Sequence, residues 1–140
     1  MNEYKIFVVD DDTFYLTLFK QQLINIGCED ISIFESGTDL LNSIQENPDV
    51  VFLDYRMDDF TGEEVLNKIK RYNPDIFVVV VSGQEGIQTA VNMLKQGAFD
   101  YLQKGEDELK KIKDVLQKIG EVKDFMERNK PNLIKRFFKK

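Results

Sequence analysis

The chain has 140 residues, 42% of them hydrophobic and 31% charged, with a formal net charge of −6. That length suits one domain with a single core, and the balance is that of a globular protein rather than a disordered one. The charge is asymmetric: residues 129–140 carry Lys130, Lys135, Arg136, Lys139 and Lys140 and no acid, which leaves −11 on residues 1–128 and argues against nucleic-acid binding by that body.

The first predicted element is a strand, Lys5–Val9, which runs into three carboxylates, Asp10-Asp11-Asp12. A helix over Thr13–Ile26 follows, with Leu16, Phe19, Leu23 and Ile26 on one stripe, Asp12 suited to cap it and Gly27 to stop it. Strand Ile31–Phe34 leads to a helix opened by Ser36 and Gly37, carrying Leu40, Leu41 and Ile44 and ended by Asn47-Pro48. Strand Val50–Leu53 ends in a lone acid, Asp54. The helix from Gly62 to Arg71 carries Val65, Leu66 and Ile69 and ends before Asn73-Pro74. Strand Ile76–Val81 meets Ser82, and the helix Glu85–Gln96 carries Ile87, Val91 and Leu94 before Gly97. Strand Phe99–Leu102 precedes Lys104, and a last helix from Glu106 places Ile112, Val115, Ile119, Val122 and Met126 at heptad-like spacing that would suit a dimerising linker. Strict alternation of uniformly apolar strands with amphipathic helices predicts a parallel sheet covered on both faces.

In such a sheet ligands bind outside the carboxyl ends of the strands. Asp10–Asp12, Asp54, Ser82 and Lys104 all fall there. The chain has no histidine and a single cysteine, Cys28, so a His-activated nucleophile, a multi-cysteine zinc site and an internal disulfide are excluded. Oxygen ligands and a hard cation such as Mg2+ remain, with Asp11 and Asp54 as direct ligands and Asp10 acting through water. Lys104 is the natural counter-cation. A carboxylate between a metal and an ammonium is a poor general base but can attack phosphorus to form an acyl phosphate, with the Ser82 hydroxyl donating to a phosphoryl oxygen.

These pieces resemble the receiver domain of two-component response regulators over roughly residues 4–125: Val8-Val9-Asp10-Asp11-Asp12, Val51-Phe52-Leu53-Asp54 with Met57 and Gly62 downstream, Val80-Val81-Ser82-Gly83, and Gly97-Ala98-Phe99-Asp100-Tyr101-Leu102-Gln103-Lys104. The resemblance implies a five-stranded, doubly wound, flavodoxin-like α/β fold with strand order 2-1-3-4-5. It implies that Asp54 takes a phosphoryl group from a sensor histidine kinase or phosphotransfer protein, that Asp10, Asp11, Asp54 and the Arg56 carbonyl hold Mg2+, and that Ser82 and Lys104 bind phosphoryl oxygens. It further implies a switch through Ser82 and Tyr101 that remodels a surface read by a downstream protein, an effector domain or a second copy of the chain. Such a protein is a cytoplasmic signalling phosphoacceptor rather than a turnover enzyme. Three departures stand out: Asp58 and Gly105 occupy positions where the family usually has proline, Gly105 being expected to loosen the loop that carries Lys104, and Arg56 and Gln84, two residues beyond Asp54 and Ser82, sit at variable positions that in the family tune how long the acyl phosphate survives.

A phosphorylation-independent pseudo-receiver is the main alternative. An aspartyl phosphatase would want a second acid where Arg56 stands, and a flavodoxin would want a hydroxyl-rich phosphate loop in place of the three acids. The expected division is a receiver domain over residues 1–127 and a basic amphipathic tail over residues 128–140, in which Leu133, Ile134, Phe137 and Phe138 interleave with cations. Residues 1–5 do not read as a signal peptide, and no apolar run approaches the ~18 residues of a membrane span.

Overall fold

The computed structural model describes residues 3–138, with side chains described to residue 129. Strands β1 (Lys5–Val9), β2 (Asp30–Phe34), β3 (Val50–Asp54), β4 (Phe77–Ser82) and β5 (Asp100–Gln103) alternate with helices α1 (Thr13–Ile26), α2 (Gly37–Asn42), α3 (Gly62–Tyr72), α4 (Ile87–Lys95) and α5 (Glu108–Phe138). Every strand pairing is parallel, and the order is β2-β1-β3-β4-β5, as expected. Strand ends move by no more than one residue from their predicted places.

The period of two along each strand sorts the core into two halves. Ile6, Val8, Val50, Phe52, Val79, Val81 and Leu102 face α1 and α5, where Leu16, Phe19, Leu23, Ile112, Val115, Leu116 and Ile119 cover them. Phe7, Val9, Val51, Leu53, Val78 and Val80 face α2, α3 and α4. Both faces of the central strands are therefore dry, which is why they read as continuous apolar runs.

Local chemistry sets the helix ends. Asp12 Oδ1 accepts the N–H groups of Phe14 at 3.1 Å and Tyr15 at 3.2 Å, and Gly27 closes α1 in the left-handed region at φ 112°. Thr61 and Glu64 form a reciprocal capping box at the start of α3. Gly62 is required there, because a Cβ would lie 2.8 Å from the Tyr55 Cα. The second predicted helix breaks at Ser43 into a 3₁₀ turn over Ile44–Glu46, closed by Asn47 at φ 52°.

The structure corrects one predicted face. Ile87, Val91 and Leu94, expected to be the inner stripe of α4, are 84%, 36% and 45% exposed, and Met93 is the buried apolar anchor instead. The helix is turned so that the more polar Thr89 and the small Ala90 lie with Met93 toward the sheet. In α5 the stripe is buried through Ile119, but Val122 and Met126 stand outside the core. Its backbone continues unbroken through the expected boundary at residues 127–128. The side chains of the basic tail from residue 130 onward, and Lys139 and Lys140 altogether, lie outside the described residues. Among the described residues no helix is long and apolar enough to cross a membrane.

Asp59 ties two connections together. Its carboxylate accepts the Gly37 N–H at 3.2 Å, the Thr38 N–H at 2.8 Å and the Thr38 hydroxyl at 2.6 Å, joining the loop after β3 to the start of α2. The Thr38 hydroxyl, with the Thr38, Gly37 and Phe60 amides, lowers its carboxyl to about 2 against a small burial penalty. Its folded-state value lies below the unfolded one, so its contribution is complete above pH ~4 and is lost as the pH falls toward ~2. Asp59→Ala should therefore cost roughly 0.5–1 kcal/mol at pH 7, the lower part of the capping range because the group is exposed, with a smaller difference from wild type in acid. Urea unfolding at the two pH values measures both.

Candidate functional site

The sheet delivers its polar residues to one rim with a defined handedness. Asp54 continues the parity of Phe52 and so lies on the α1 side of the sheet, where Asp10 joins it beside Tyr15 and Phe19. Asp10, Asp54 and Ser82 are the buried polar residues of the described chain, each at most 6% exposed. Asp11 is exposed above them. Carboxylate oxygens of Asp10, Asp11 and Asp54 all lie within 4.8 Å of one another. They line an open pocket of about 580 Å³ that Arg56, Glu85 and Lys104 also border.

Lys104 reaches this cluster from the end of β5. Its Nζ lies 2.8 Å from Asp10 Oδ2 and 3.4 Å from Asp54 Oδ1. It also sits 4.1 Å from the centre of the Tyr15 ring, a cation–π contact whose ring is held by a hydrogen bond from the Tyr15 hydroxyl to Glu108. Burial works against the ammonium, but hydrogen bonding to Asp10 and the charges of Asp54 and Asp10 outweigh it and raise its pKa. The loop is anchored by the Lys104 N–H on the Ser82 carbonyl at 2.8 Å. Gly105 then takes φ 136°, a conformation closed to proline, whose ring holds φ near −65°.

Burial is the main force on Asp54. Desolvation and the neighbouring Asp10 charge push its carboxyl up to about 7, against the pull of Lys104. Burial, then Asp58 and Asp10, raise Asp11 as well. The acid at the first departure from the family pattern thus adds negative field to the cluster. Three mutually repelling carboxylates with hard oxygen donors fit a divalent cation that favours carboxylate and water ligands.

Ser82 and Tyr101 occupy the opposite parity. Tyr101 packs with the core half under α2, α3 and α4, and the Ser82 and Tyr101 hydroxyl oxygens are buried without a well-formed hydrogen bond among the described residues. Ser82 does not cap α4, whose N-cap is Gly86. Three further participants, Tyr15, Glu108 and Glu85, carry no local signature. Tyr15 and Glu108 become visible as supports of Lys104 only when α1 and α5 are packed side by side, and the Arg56–Glu85 ion pair joins two loops 29 residues apart.

The fold and the rim together define a receiver-type α/β domain. The chain belongs to the response regulator receiver domain family, whose match covers residues 6–117. It is 37% identical over 103 residues to the transcriptional regulatory protein ZraR of Klebsiella oxytoca, covering 73% of this chain and 23% of that protein. It is 33% identical over 96 residues to the luminescence regulatory protein LuxO of Vibrio campbellii, covering 68% of this chain and 21% of that one. The chain thus spans about a quarter or less of the curated relatives it matches. Among solved structures, a response regulator receiver domain from Clostridium thermocellum superposes with a TM-score of 0.81 at 28% identity, covering 88% of this chain and 98% of that one. NtrX from Brucella abortus in complex with ATP gives 0.82 at 27% identity, with 95% of this chain matched to 30% of that one.

The raised Asp54 value has a consequence for stability. Unfolded, the group ionises near pH 4; folded and metal-free, it holds its proton to about 7, so ionising it works against the fold as the pH rises between those values. Asp54→Asn should therefore stabilise the protein in the presence of a chelator. The gain should grow from pH 4 to 7 and reach the order of 1–3 kcal/mol, reduced from the full electrostatic figure by the coupling to Lys104. Denaturant midpoints across that range, with and without the chelator, are the measurement.

Proposed function

We propose that Asp54 is the phosphoacceptor of a two-component phosphorelay. The observation that carries this is a buried carboxylate at the floor of an open pocket, 3.4 Å from a lysine ammonium and gathered with two further acids. An Asp54 oxygen attacks the phosphorus of a kinase or phosphotransfer protein's phosphohistidine. An O–P bond forms, the donor's P–N bond breaks, and the imidazole leaves with the bonding pair and takes up a proton. A Mg2+ ion held by Asp10, Asp11, Asp54 and the Arg56 backbone carbonyl would supply neutralisation of charge on the phosphoryl oxygens.

Lys104 serves the reaction in two ways. It pulls the Asp54 carboxyl down against the burial and the Asp10 charge that raise it, and its ammonium stands ready to pair with a phosphoryl oxygen once the carboxylate is phosphorylated. Ser82 supplies a buried hydroxyl without a well-formed hydrogen bond, free to donate to that phosphoryl group. Tyr101 lies on the same side of the sheet and on the adjacent strand, placed for movement of Ser82 to be felt there. The surface this remodels includes the exposed Ile87, Val91 and Leu94, an apolar face suited to a protein partner: an effector domain, a downstream protein or a second copy of the chain. Such a domain acts in the cytoplasm as a phosphoprotein that promotes its own phosphorylation and dephosphorylation.

The experiment is incubation with a small-molecule phosphodonor, followed by intact-mass measurement. Wild type should gain one phosphoryl group in Mg2+ and none in chelator, and Asp54→Asn none in either. An equal adduct on both proteins would sink the assignment, and absence of adduct on wild type would favour the pseudo-receiver. Asp11→Ala should weaken Mg2+ binding by tenfold or more, on the order of 1.4 kcal/mol, measured by titration calorimetry.

A further inference from the structure

One acid at the pocket has no part in the chemistry above. Glu85 lies in the connection between β4 and α4, with a side chain only 7% exposed, and its Oε1 meets Arg56 Nε at 3.2 Å across the pocket. Arg56 belongs to the connection after β3, and its side chain is 81% exposed. Glu85 Oε2 also accepts the Gln84 N–H at 3.1 Å. Burial works to raise the Glu85 carboxyl, but the nearby Ser82 hydroxyl, the Gln84 amide and Arg56 outweigh it and hold it below the usual range.

The loop that carries Glu85 has little else to hold it. A Cβ at Gly83 or Gly86 would meet nothing within 4 Å, and Gly86 caps α4 with no side-chain hydrogen bond. Ile87, the first residue of the helix, is 84% exposed. Apart from the Glu85 contacts, a 3.3 Å bond from Gln103 Nε2 to the Gly83 carbonyl ties the loop to β5.

We propose that Arg56 and Glu85 form a charge-operated latch, with Glu85 the positioning residue that holds residues 83–86 and the start of α4 against the pocket until Asp54 is phosphorylated. This rests on the phosphoacceptor assignment. A phosphoryl group brings close to two negative charges and three acceptor oxygens into the pocket, and a guanidinium pairs with phosphate in a fork that one carboxylate oxygen does not match. Arg56 turns to the phosphoryl group. Glu85 is then a half-buried carboxylate that has lost its cation and faces a new like charge, an arrangement that favours its move to water. It relaxes by moving out to water, and Gly86 and Ile87 move with it. Its effect on signalling thus runs through Arg56 and the loop, not through contact with the reacting atoms.

The test is a double-mutant cycle on the full chain, with Glu85→Gln, Arg56→Gln and the pair together; the Arg56 backbone carbonyl is retained in each. Amide hydrogen exchange over residues 83–90 is read before and after treatment with the small phosphodonor, and intact mass records the adduct. Glu121→Gln, in α5 near the opposite end of the domain, is the control. Before phosphorylation each single variant should exchange roughly two- to fivefold faster than wild type over this loop, the range of a partly exposed ion pair, and the double variant no faster than either single. After phosphorylation the wild-type loop should rise to the level of Glu85→Gln, which itself should change little. Additive single effects, or singles that match wild type and control, would overturn the latch. A wild type that takes the phosphoryl group with loop exchange unchanged overturns the latch alone. A wild type that takes no group overturns the phosphoacceptor assignment and the trigger with it.

Discussion

The Lys104 ammonium between Asp10 and Asp54 is the interaction on which the rest of the site depends. Two carboxylates at about 4 Å repel by roughly 4 kcal/mol at an effective dielectric of about 20, and burial adds its own penalty. The lysine offsets part of that cost, and without it the Asp54 carboxyl would be raised further still. The lysine lies 94 residues beyond Asp10 in the chain, so the interaction exists only because the sheet sets the ends of β1, β3 and β5 on one rim. Its position is fixed from below by the Tyr15 ring, and the ring in turn by Glu108 of α5. A buried ion pair of this kind is weak support for a fold, and a well-packed apolar replacement is often as stable or more so. Its presence in an otherwise dry core points to chemistry.

The alternation of strand side chains separates two tasks that would otherwise interfere. Asp10, Asp54 and Lys104 gather on the α1 side of the sheet, where the helices are densely packed against Phe19 and Ile112 and little can move. Ser82 and Tyr101 lie on the other side, beneath α4, a nine-residue helix anchored by one fully buried apolar side chain. On the proposed function, a charge change made on the tightly packed side would be read on the side with less packing to resist it. Local stability follows packing, and α4 has less of it than any neighbour of the site.

The architecture was legible in the sequence because each central strand is apolar on both faces and each connection carries a strong stop: Gly27, Asn47-Pro48, Asn73-Pro74 and Gly97. The rim was legible for the same reason, since a charge directly after a buried run has nowhere to lie but the strand's end. Periodicity misjudged α4, whose apolar stripe over Ile87, Val91 and Leu94 points outward. Hydrophobic spacing reports that a helix has an apolar face, not which surface that face meets, and on a protein that binds partners the two diverge. The same limit applies to α5, where one continuous seam is core as far as Ile119 and surface at Val122 and Met126. Supports that cross between elements, such as Tyr15 with Glu108 and Arg56 with Glu85, have no local signature at all.

The departures from the family pattern bear on charge and backbone rather than on the reacting groups. Asp58 deepens the negative field around Asp11, which raises the proton affinity of the cluster and equally its attraction for a divalent cation. Gly105 permits the left-handed turn that carries the chain from Lys104 toward α5, a path that proline would not allow. Neither change removes a donor from the rim. One changes the charge at the rim and the other the backbone of the loop that carries the lysine.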